Sequence, residues 1–212
     1  MKKSRLIFIP VLGAIFMLVL ITRPYEREYD IDQPYGMRNI MSKIEDLADG
    51  NPVYKISISS QPEQGDMDFL TISVIDAKKE SHREIKFNRS GAFFNSTDSK
   101  ILNIKGKRDA FEISDLFTKG LGLIEDCKIL VPEDYKYRHT EYISVNNGRI
   151  ASIRIAVAPL NDNDIKKNKY VHLKTYNKES YTGGRRPKKK SDTFKYYIME
   201  FSVDKSGKVS ID

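Results

Sequence analysis

Apolar and polar residues alternate along much of the chain after residue 52, which is the period-two pattern of half-exposed β-strands. In Val53–Ser60, for example, Tyr54, Ile56 and Ile58 are separated by polar residues. Such segments, bounded by turn-forming residues, predict antiparallel strands. The predicted strands are Val53–Ser60, Met67–Ala77, Arg83–Asn88, Ile101–Lys105, Tyr142–Asn146, Arg149–Ala158, Lys169–Tyr176, Thr193–Val203 and Val209–Ile211.

Three local features refine this strand pattern. Residues Asn95–Lys100 are polar throughout and predict a loop before the fourth strand. Asn147-Gly148 lies between two alternating segments and predicts a tight hairpin turn. In the segment around residue 172, the alternation predicts that Leu173 points inward and that His172 points away from the apolar side.

Two segments show the 3.6-residue period of amphipathic helices. The first is Pro34–Gly50, with Asp32 as the predicted N-cap and Gly50 ending the helix. The second is Ala110–Ile124, where Asp109 and Glu112 resemble a capping box. Glycines 120 and 122 weaken this second pattern, and we expect the helix to end early there.

The order of elements predicts an α+β fold. A helix and four strands fill residues 24–108, and a helix and four or five strands fill residues 109–212. We interpret these as two consecutive units, each with a helix on an antiparallel meander. The arrangement is similar to cystatin-like and NTF2-like folds, and this analogy concerns the fold alone.

A run without charge, Leu6–Thr22, follows Lys2, Lys3 and Arg5 at the start of the chain. Its length suits a short transmembrane helix, so we predict an N-terminal membrane anchor in residues 1–23. A cleaved secretory signal is the alternative, although no small-residue cleavage site follows the run. A buried core helix is a third interpretation. The basic N-terminus favours a single-pass inner-membrane protein whose body is periplasmic, or a secreted protein after cleavage.

The formal net charge of +7 is distributed unevenly. Residues 166–190 hold ten Lys or Arg residues against one acidic residue, whereas the rest of the body after the anchor is mildly acidic. Such asymmetry favours a directed electrostatic contact. We predict that a basic loop at 183–190, joining two strands of one sheet, contacts an anionic partner. The predicted partner-binding residues are Lys174, Lys178, Arg185, Arg186, Lys188, Lys189 and Lys190.

Other envelope proteins, anionic lipid or anionic polysaccharide would suit this basic loop, and the predicted compartment disfavours nucleic acid. A second interpretation is that the charges merely keep a sheet edge soluble.

The sequence contains weak candidates for catalysis. A pair formed by His139 and Glu141 could serve as base and orienting group of a hydrolase. The other two histidines, His82 and His172, are far from each other and from His139, without zinc-ligand spacing. Segment 161–164 (NDND) has alternating oxygen ligands but lacks the glycine and glutamate of a calcium loop. We therefore predict no metal, no cofactor and no enzymatic activity.

The single cysteine, Cys127, lies among apolar residues and predicts a buried side chain, with an intermolecular disulfide as the alternative. Together these features predict a membrane-anchored, non-catalytic binding or scaffold subunit of a bacterial cell-envelope assembly. An exported inhibitor or immunity-type protein is the first alternative, and an envelope hydrolase is the second.

Overall fold

The computed structural model describes residues 28–63, 65–76, 81–90, 94–104, 108–161, 168–181 and 189–212. The predicted anchor, residues 1–23, lies outside these described residues. Within the described ranges, no helix combines the length and the apolar character needed to cross a membrane.

The described elements alternate as one helix with four strands, then a helical segment with five strands. A π-helical turn, Leu116–Gly120, runs directly into helix α2. The bounds are α1 Pro34–Ala48, β1 Val53–Ser60, β2 Met67–Asp76, β3 Ser81–Ser90, β4 Phe94–Leu102, α2 Leu121–Ile129, β5 Tyr135–Asn146, β6 Arg149–Pro159, β7 His172–Tyr181, β8 Lys189–Val203 and β9 Val209–Ile211.

All described strands join one antiparallel sheet in the order β4-β3-β2-β1-β5-β6-β8-β7, and β9 also pairs with β8. Strand β1 pairs with β2 on one side and with β5 on the other. The sheet is therefore continuous across the boundary that the sequence suggested between residues 108 and 109. The predicted α+β class is confirmed.

Helix α1 packs its apolar stripe on the sheet, as its periodicity predicts. Met37, Ile40, Ile44 and Ala48 are buried against core residues contributed by both halves of the chain. The helix ends where Asp49 and Gly50 adopt left-handed backbone angles, with φ of 50° and 74°. The predicted end of this helix is thus confirmed.

A close backbone approach fixes the start of α1. A Cβ atom on Gly36 would lie 2.1 Å from the carbonyl oxygen of Asp30, which forms an isolated bridge with Asp66. Only glycine allows the helix to approach this segment so closely.

The predicted N-cap role of Asp32 is wrong, because its carboxylate bonds to a distant strand instead. Gln33 occupies the N-cap position and makes no side-chain capping bond. Asp32 accepts a hydrogen bond from the backbone N–H of Thr140 at 3.0 Å, and another from the Tyr137 hydroxyl. It therefore fixes the chain before α1 to β5.

Several predictions about the strands and loops are wrong. Strands β3, β5, β7 and β8 are longer than, or shifted from, the predicted Arg83–Asn88, Tyr142–Asn146, Lys169–Tyr176 and Thr193–Val203. Residues Asn95–Lys100, predicted as a loop, belong to β4, whose backbone pairs with β3 along its length. This strand lies at the sheet edge, and its described side chains are largely exposed, so it lacks the alternation expected of a half-buried strand. Leu173, predicted to point inward, is 55% exposed, because it lies on edge strand β7.

The second helix begins and ends later than predicted. Residues 108–112 are not helical, and the Phe111 N–H bonds to the carbonyl of Val53 at 2.7 Å. The Asp109–Glu112 capping box is therefore wrong. The helix also continues through both glycines to Ile129, because Gly120 and Gly122 have room in it and Ile124 and Cys127 are buried beneath.

The hairpin turn at Asn147-Gly148 is confirmed. Both residues have positive φ angles, 51° and 79°, as a tight two-residue hairpin requires. This turn joins β5 to β6, the strand pair that supports the candidate site described next.

Candidate functional site

Strand β8 extends beyond its pairing with β6, and this extension forms a two-stranded projection with β7. Between Tyr197 and Ser202, β8 pairs with β6. From Lys189 to Tyr196 it pairs, among the described strands, with β7 alone. These eight residues reach about 27 Å at the usual rise of an extended strand. We call Lys174–Tyr181 and Lys189–Tyr196 the β7–β8 arm.

The arm carries much of the basic charge that the sequence singled out. Lys178 lies opposite Asp192 in the backbone register, and Lys189 and Lys190 lie opposite Tyr181 and Ser180. Their positions at the distal end of the arm place a local excess of basic residues there. Three further predicted partner-binding residues lie outside the described residues, namely Arg185, Arg186 and Lys188.

Lys174 differs from the other predicted residues, because its charge is engaged within the molecule. Its Nζ atom lies 2.7 Å from Oε1 of Glu141, on the other side of β6 and β8. The Tyr196 hydroxyl donates a hydrogen bond to the same carboxylate oxygen, also at 2.7 Å. Glu141 therefore links β5 to both strands of the arm.

The environment of Glu141 combines burial with positive charge. Its side chain is 7% exposed, and its second oxygen, Oε2, lies 3.8 Å from Nε of Arg154. Arg154 in turn bonds to Glu200 at 2.7 Å. Burial raises the pKa of Tyr196 well above its usual value, and its hydrogen bond to Glu141 raises that pKa further. The Glu141 carboxyl group therefore has a tyrosine donor and two cationic side chains as its neighbours.

Glu141 occupies this position because β5 bulges there. Thr140 pairs with Ile155 and Tyr142 pairs with Arg154, so Glu141 is an extra residue in β5. A bulge alters the direction of nearby side chains. The backbone N–H of Thr140 donates a hydrogen bond to Asp32 before α1, whereas the side chain of Glu141 accepts one from Lys174 in the arm.

A small apolar cluster underlies this ionic group. Ala156, Tyr196 and Ile198 are buried together, and Tyr176 packs against them. Because Tyr176 and Tyr196 lie in the arm, the cluster fixes the arm base through apolar contact as well as through Glu141. We call Glu141, Lys174, Tyr196 and Arg154 the arm-base cluster.

The hypothetical catalytic pair, His139 and Glu141, is buried at 5% and 6% exposure. Oε1 of Glu141 accepts hydrogen bonds from Lys174 and Tyr196, whereas Oε2 has no hydrogen-bond partner among the described residues and lies 3.8 Å from Nε of Arg154. This arrangement suits a structural anchor better than a base-orienting group.

The remaining sequence candidates are separate from one another. His82 packs edge-on against Tyr54, with ring centroids 5.3 Å apart, and His172 is exposed. Cys127 is fully buried, as predicted, and burial raises the pKa of its thiol to about 12. The NDND segment falls mostly outside the described residues. In the described ranges, no group of three or more His, Cys, Asp or Glu residues is placed to hold a metal.

The arm-base cluster was missed at the level of sequence. Lys174 was identified for its charge, but Glu141, Tyr196 and Arg154 lie on three other strands, and no local pattern links them. The only available signal was a charged residue, Glu141, within a segment that is otherwise suited to a strand.

No protein-family model, curated protein or solved structure matches this chain.

Proposed function

We propose that this chain is a membrane-anchored, non-catalytic binding or scaffold subunit of a bacterial cell-envelope assembly. It contacts an anionic partner through the β7–β8 arm, which includes Lys189 and Lys190, and through Arg185, Arg186 and Lys188, which lie between the two arm strands in the sequence. The observation that carries the proposal is the length of the arm, which extends eight residues beyond the pairing between β8 and β6.

The charge distribution supports an anionic partner. Arg185, Arg186 and Lys188–Lys190 are close together in the sequence, and the nearest acidic residues in the arm are Glu179 and Asp192. A cationic group at the end of a projection reaches a partner surface before the mildly acidic body does. Such a contact should be strong at low ionic strength. It should weaken as salt rises, because added salt shortens the Debye length, which is about 10 Å at 0.1 M ionic strength, and so screens exposed charges over shorter distances.

The arm base supports a role in positioning. A ribbon of two strands is marginally stable on its own in water. The arm-base cluster and the apolar cluster around Ala156 hold this ribbon against the sheet. The arm is therefore fixed where it leaves the body, which lowers the entropy that a partner must restrict on binding.

The predicted membrane anchor is the part of the proposal that the sequence alone supports. The uncharged run Leu6–Thr22 would hold the body at the inner membrane, with the arm on the periplasmic side. A tethered subunit meets its partner at high effective concentration, so modest electrostatic affinity is sufficient.

Co-purification from native membranes tests this function. In the arm variant, Arg185, Arg186, Lys188, Lys189 and Lys190 are all replaced by Ser. In the matched control, five exposed lysines outside the arm are replaced by Ser, so that the change in net charge is equal. These control residues are Lys55, Lys100, Lys136, Lys205 and Lys208.

We expect the arm variant to lose a salt-sensitive partner and the control to retain it, with both proteins melting at the same temperature as the parent. Exposed ion pairs contribute about 0.2–1 kcal/mol each, so five lost charges should weaken binding by about 10-fold or more. Equal recovery of partners by both variants at low salt would refute the proposal. A tight one-to-one complex with a single enzyme would favour the inhibitor alternative instead.

A further inference from the structure

A cleft opens where strands β6 and β8 separate. The last pair between them is Val157 with Tyr197. Beyond it, Ala158 and Pro159 pair with β5, whereas Lys195 and Tyr196 pair with β7. In the described part of the chain, no strand lies between the two diverging edges.

We call this space the fork cleft. Its volume is about 510 Å³, which lies within the range of about 300–1,000 Å³ typical of ligand sites. Its main lining residues are Arg138, Val157, Pro159, Leu173, Lys195 and Tyr197.

The apolar part of the fork cleft is exposed to solvent. Leu173 is 55% exposed on β7, and its backbone pairs with Tyr197. The Tyr197 ring meets Tyr135 edge-on, with centroids 6.1 Å apart. These side chains offer an apolar surface beside an open strand edge.

The charged part of the fork cleft is exclusively cationic. Arg138 and Lys195 are exposed and line the cleft, and no carboxylate side chain is part of the lining. Neither cation forms an ion pair within the described ranges. Arg138 is the extra residue of a second β5 bulge, between the pairs Tyr137–Val157 and His139–Ala156. Bulges commonly redirect a side chain beside a functional site.

We propose that the fork cleft binds an extended peptide segment of a partner protein in which apolar and acidic residues alternate. The peptide adds as a short strand along the open edge of β8. Strand addition supplies main-chain hydrogen bonds, and pockets for alternate side chains supply specificity. An apolar side chain contacts Leu173 and Tyr197, and an acidic one contacts Arg138 and Lys195.

This surface is distinct from the distal charges of the arm, so the inference goes beyond the proposed function. If variants of the fork cleft lose peptide binding but keep the partner contact of the arm, the cleft and the arm are two separate binding surfaces. The arm variant described above should bind the peptide normally.

Fluorescence polarisation with the full-length protein in detergent tests the proposal. The probe is a short, capped, labelled peptide that alternates valine with aspartate, and its matched partner alternates valine with lysine. The protein variants are the double substitution Arg138→Gln with Lys195→Gln, the single substitution Leu173→Ser, and the control Lys100→Gln on the opposite edge strand.

We expect the aspartate peptide to bind in a salt-sensitive manner and the lysine peptide to show no saturable binding. The double variant should bind the aspartate peptide about 10-fold more weakly, since two exposed ion pairs are lost, and Leu173→Ser should also weaken binding. Lys100→Gln should bind like the parent. Because Arg138, Lys195 and Lys100 are exposed, the double variant and the control should melt like the parent, and only Leu173→Ser should differ.

Three results would overturn the proposal. The first is absence of binding by the aspartate peptide, and the second is equal binding of the two peptides. The third is unchanged affinity in the double variant. Self-association of the protein that is lost in the double variant would instead assign the fork cleft to a second copy of the chain, and the peptide proposal would fail.

Discussion

Replacing Glu141 should loosen the base of the β7–β8 arm. The Glu141 side chain is 7% exposed, and it accepts hydrogen bonds from Tyr196 and Lys174, each at 2.7 Å. Glu141→Ala removes both bonds and leaves the Tyr196 hydroxyl without this acceptor. Glu141→Gln keeps an acceptor oxygen for Tyr196 but removes the negative charge.

The expected loss of stability depends on how exposed Tyr196 and Lys174, the two partners of Glu141, are to solvent. A hydrogen bond to a charged acceptor contributes about 1.5–3 kcal/mol when it is buried, as the Tyr196 hydroxyl bond is. The ion pair with Lys174, whose side chain is 39% exposed, is screened by solvent and adds about 0.5–1 kcal/mol. We therefore expect Glu141→Ala to lower the free energy of unfolding by about 2–4 kcal/mol, and Glu141→Gln by about 1 kcal/mol.

Urea unfolding, followed by far-ultraviolet circular dichroism, measures these differences. A double-mutant cycle with Tyr196→Phe isolates the hydroxyl contact, and we expect a coupling energy of about 1–2 kcal/mol. Amide hydrogen exchange should show the largest loss of protection in β7 and the adjoining part of β8, with less change near α1. A loss below about 0.5 kcal/mol for Glu141→Ala, or additive effects of the two substitutions, would refute the anchoring role.

The remaining predictions concern glycine packing and alkaline stability. Gly36→Ala should destabilise the fold by about 1–3 kcal/mol or more, because its new Cβ would lie 2.1 Å from the Asp30 oxygen. Apart from its chain neighbours and the nearby helix backbone, no atom would lie within 4 Å of a Cβ atom on Gly122, so Gly122→Ala should stabilise the fold by about 0.5–1 kcal/mol. Thermal melts in which both glycine substitutions change the stability equally would contradict this difference in packing. Burial raises the pKa of the Cys127 thiol from 9.0 to about 12, so the unfolded state loses this proton first. The free energy of unfolding should therefore fall more steeply between pH 9 and 12 in the parent than in Cys127→Ala, and the two slopes should differ by up to about 1.4 kcal/mol per pH unit. If the two plots of unfolding free energy against pH were parallel, the burial of the thiol would be contradicted.

Elements with a strong period could be predicted closely from the sequence. The first strand was predicted with its observed bounds, Val53–Ser60, because it is buried on one face only and its alternation is therefore clear. Helix α1 has an apolar stripe and a left-handed glycine after its end, so both its face and its end were predictable.

Elements whose positions depend on distant partners were predicted poorly. Strand β4 is polar at an edge and is held by its pairing with β3, which no local pattern reveals. The residues before the second helix are fixed by the bond from Phe111 to Val53, which prevents the helix from beginning there. Local helix propensity and a capping motif contribute less to the position of a helix than such long-range contacts do.

The basic charge of the candidate site could be predicted from the sequence, but the contacts between distant strands that shape the site could not. Clustered basic residues are visible in the sequence, so the end of the arm was identified by charge alone. The fork cleft was missed, because it depends on the bulge at Arg138 and on the separation of β6 from β8. The engagement of Lys174 by Glu141 was also missed, since the two residues are 33 positions apart in the chain.

Photo-crosslinking in native cells tests the central claim most directly, namely that the arm contacts an anionic envelope partner. A crosslinking residue is placed at Thr175, which is exposed on the arm, and separately at Lys100 on the opposite edge of the sheet. The account predicts a discrete adduct from position 175 that disappears when the five basic residues between 185 and 190 are replaced by Ser, and no such adduct from position 100. An identical adduct from both positions, or an adduct at 175 that persists without those charges, would contradict it.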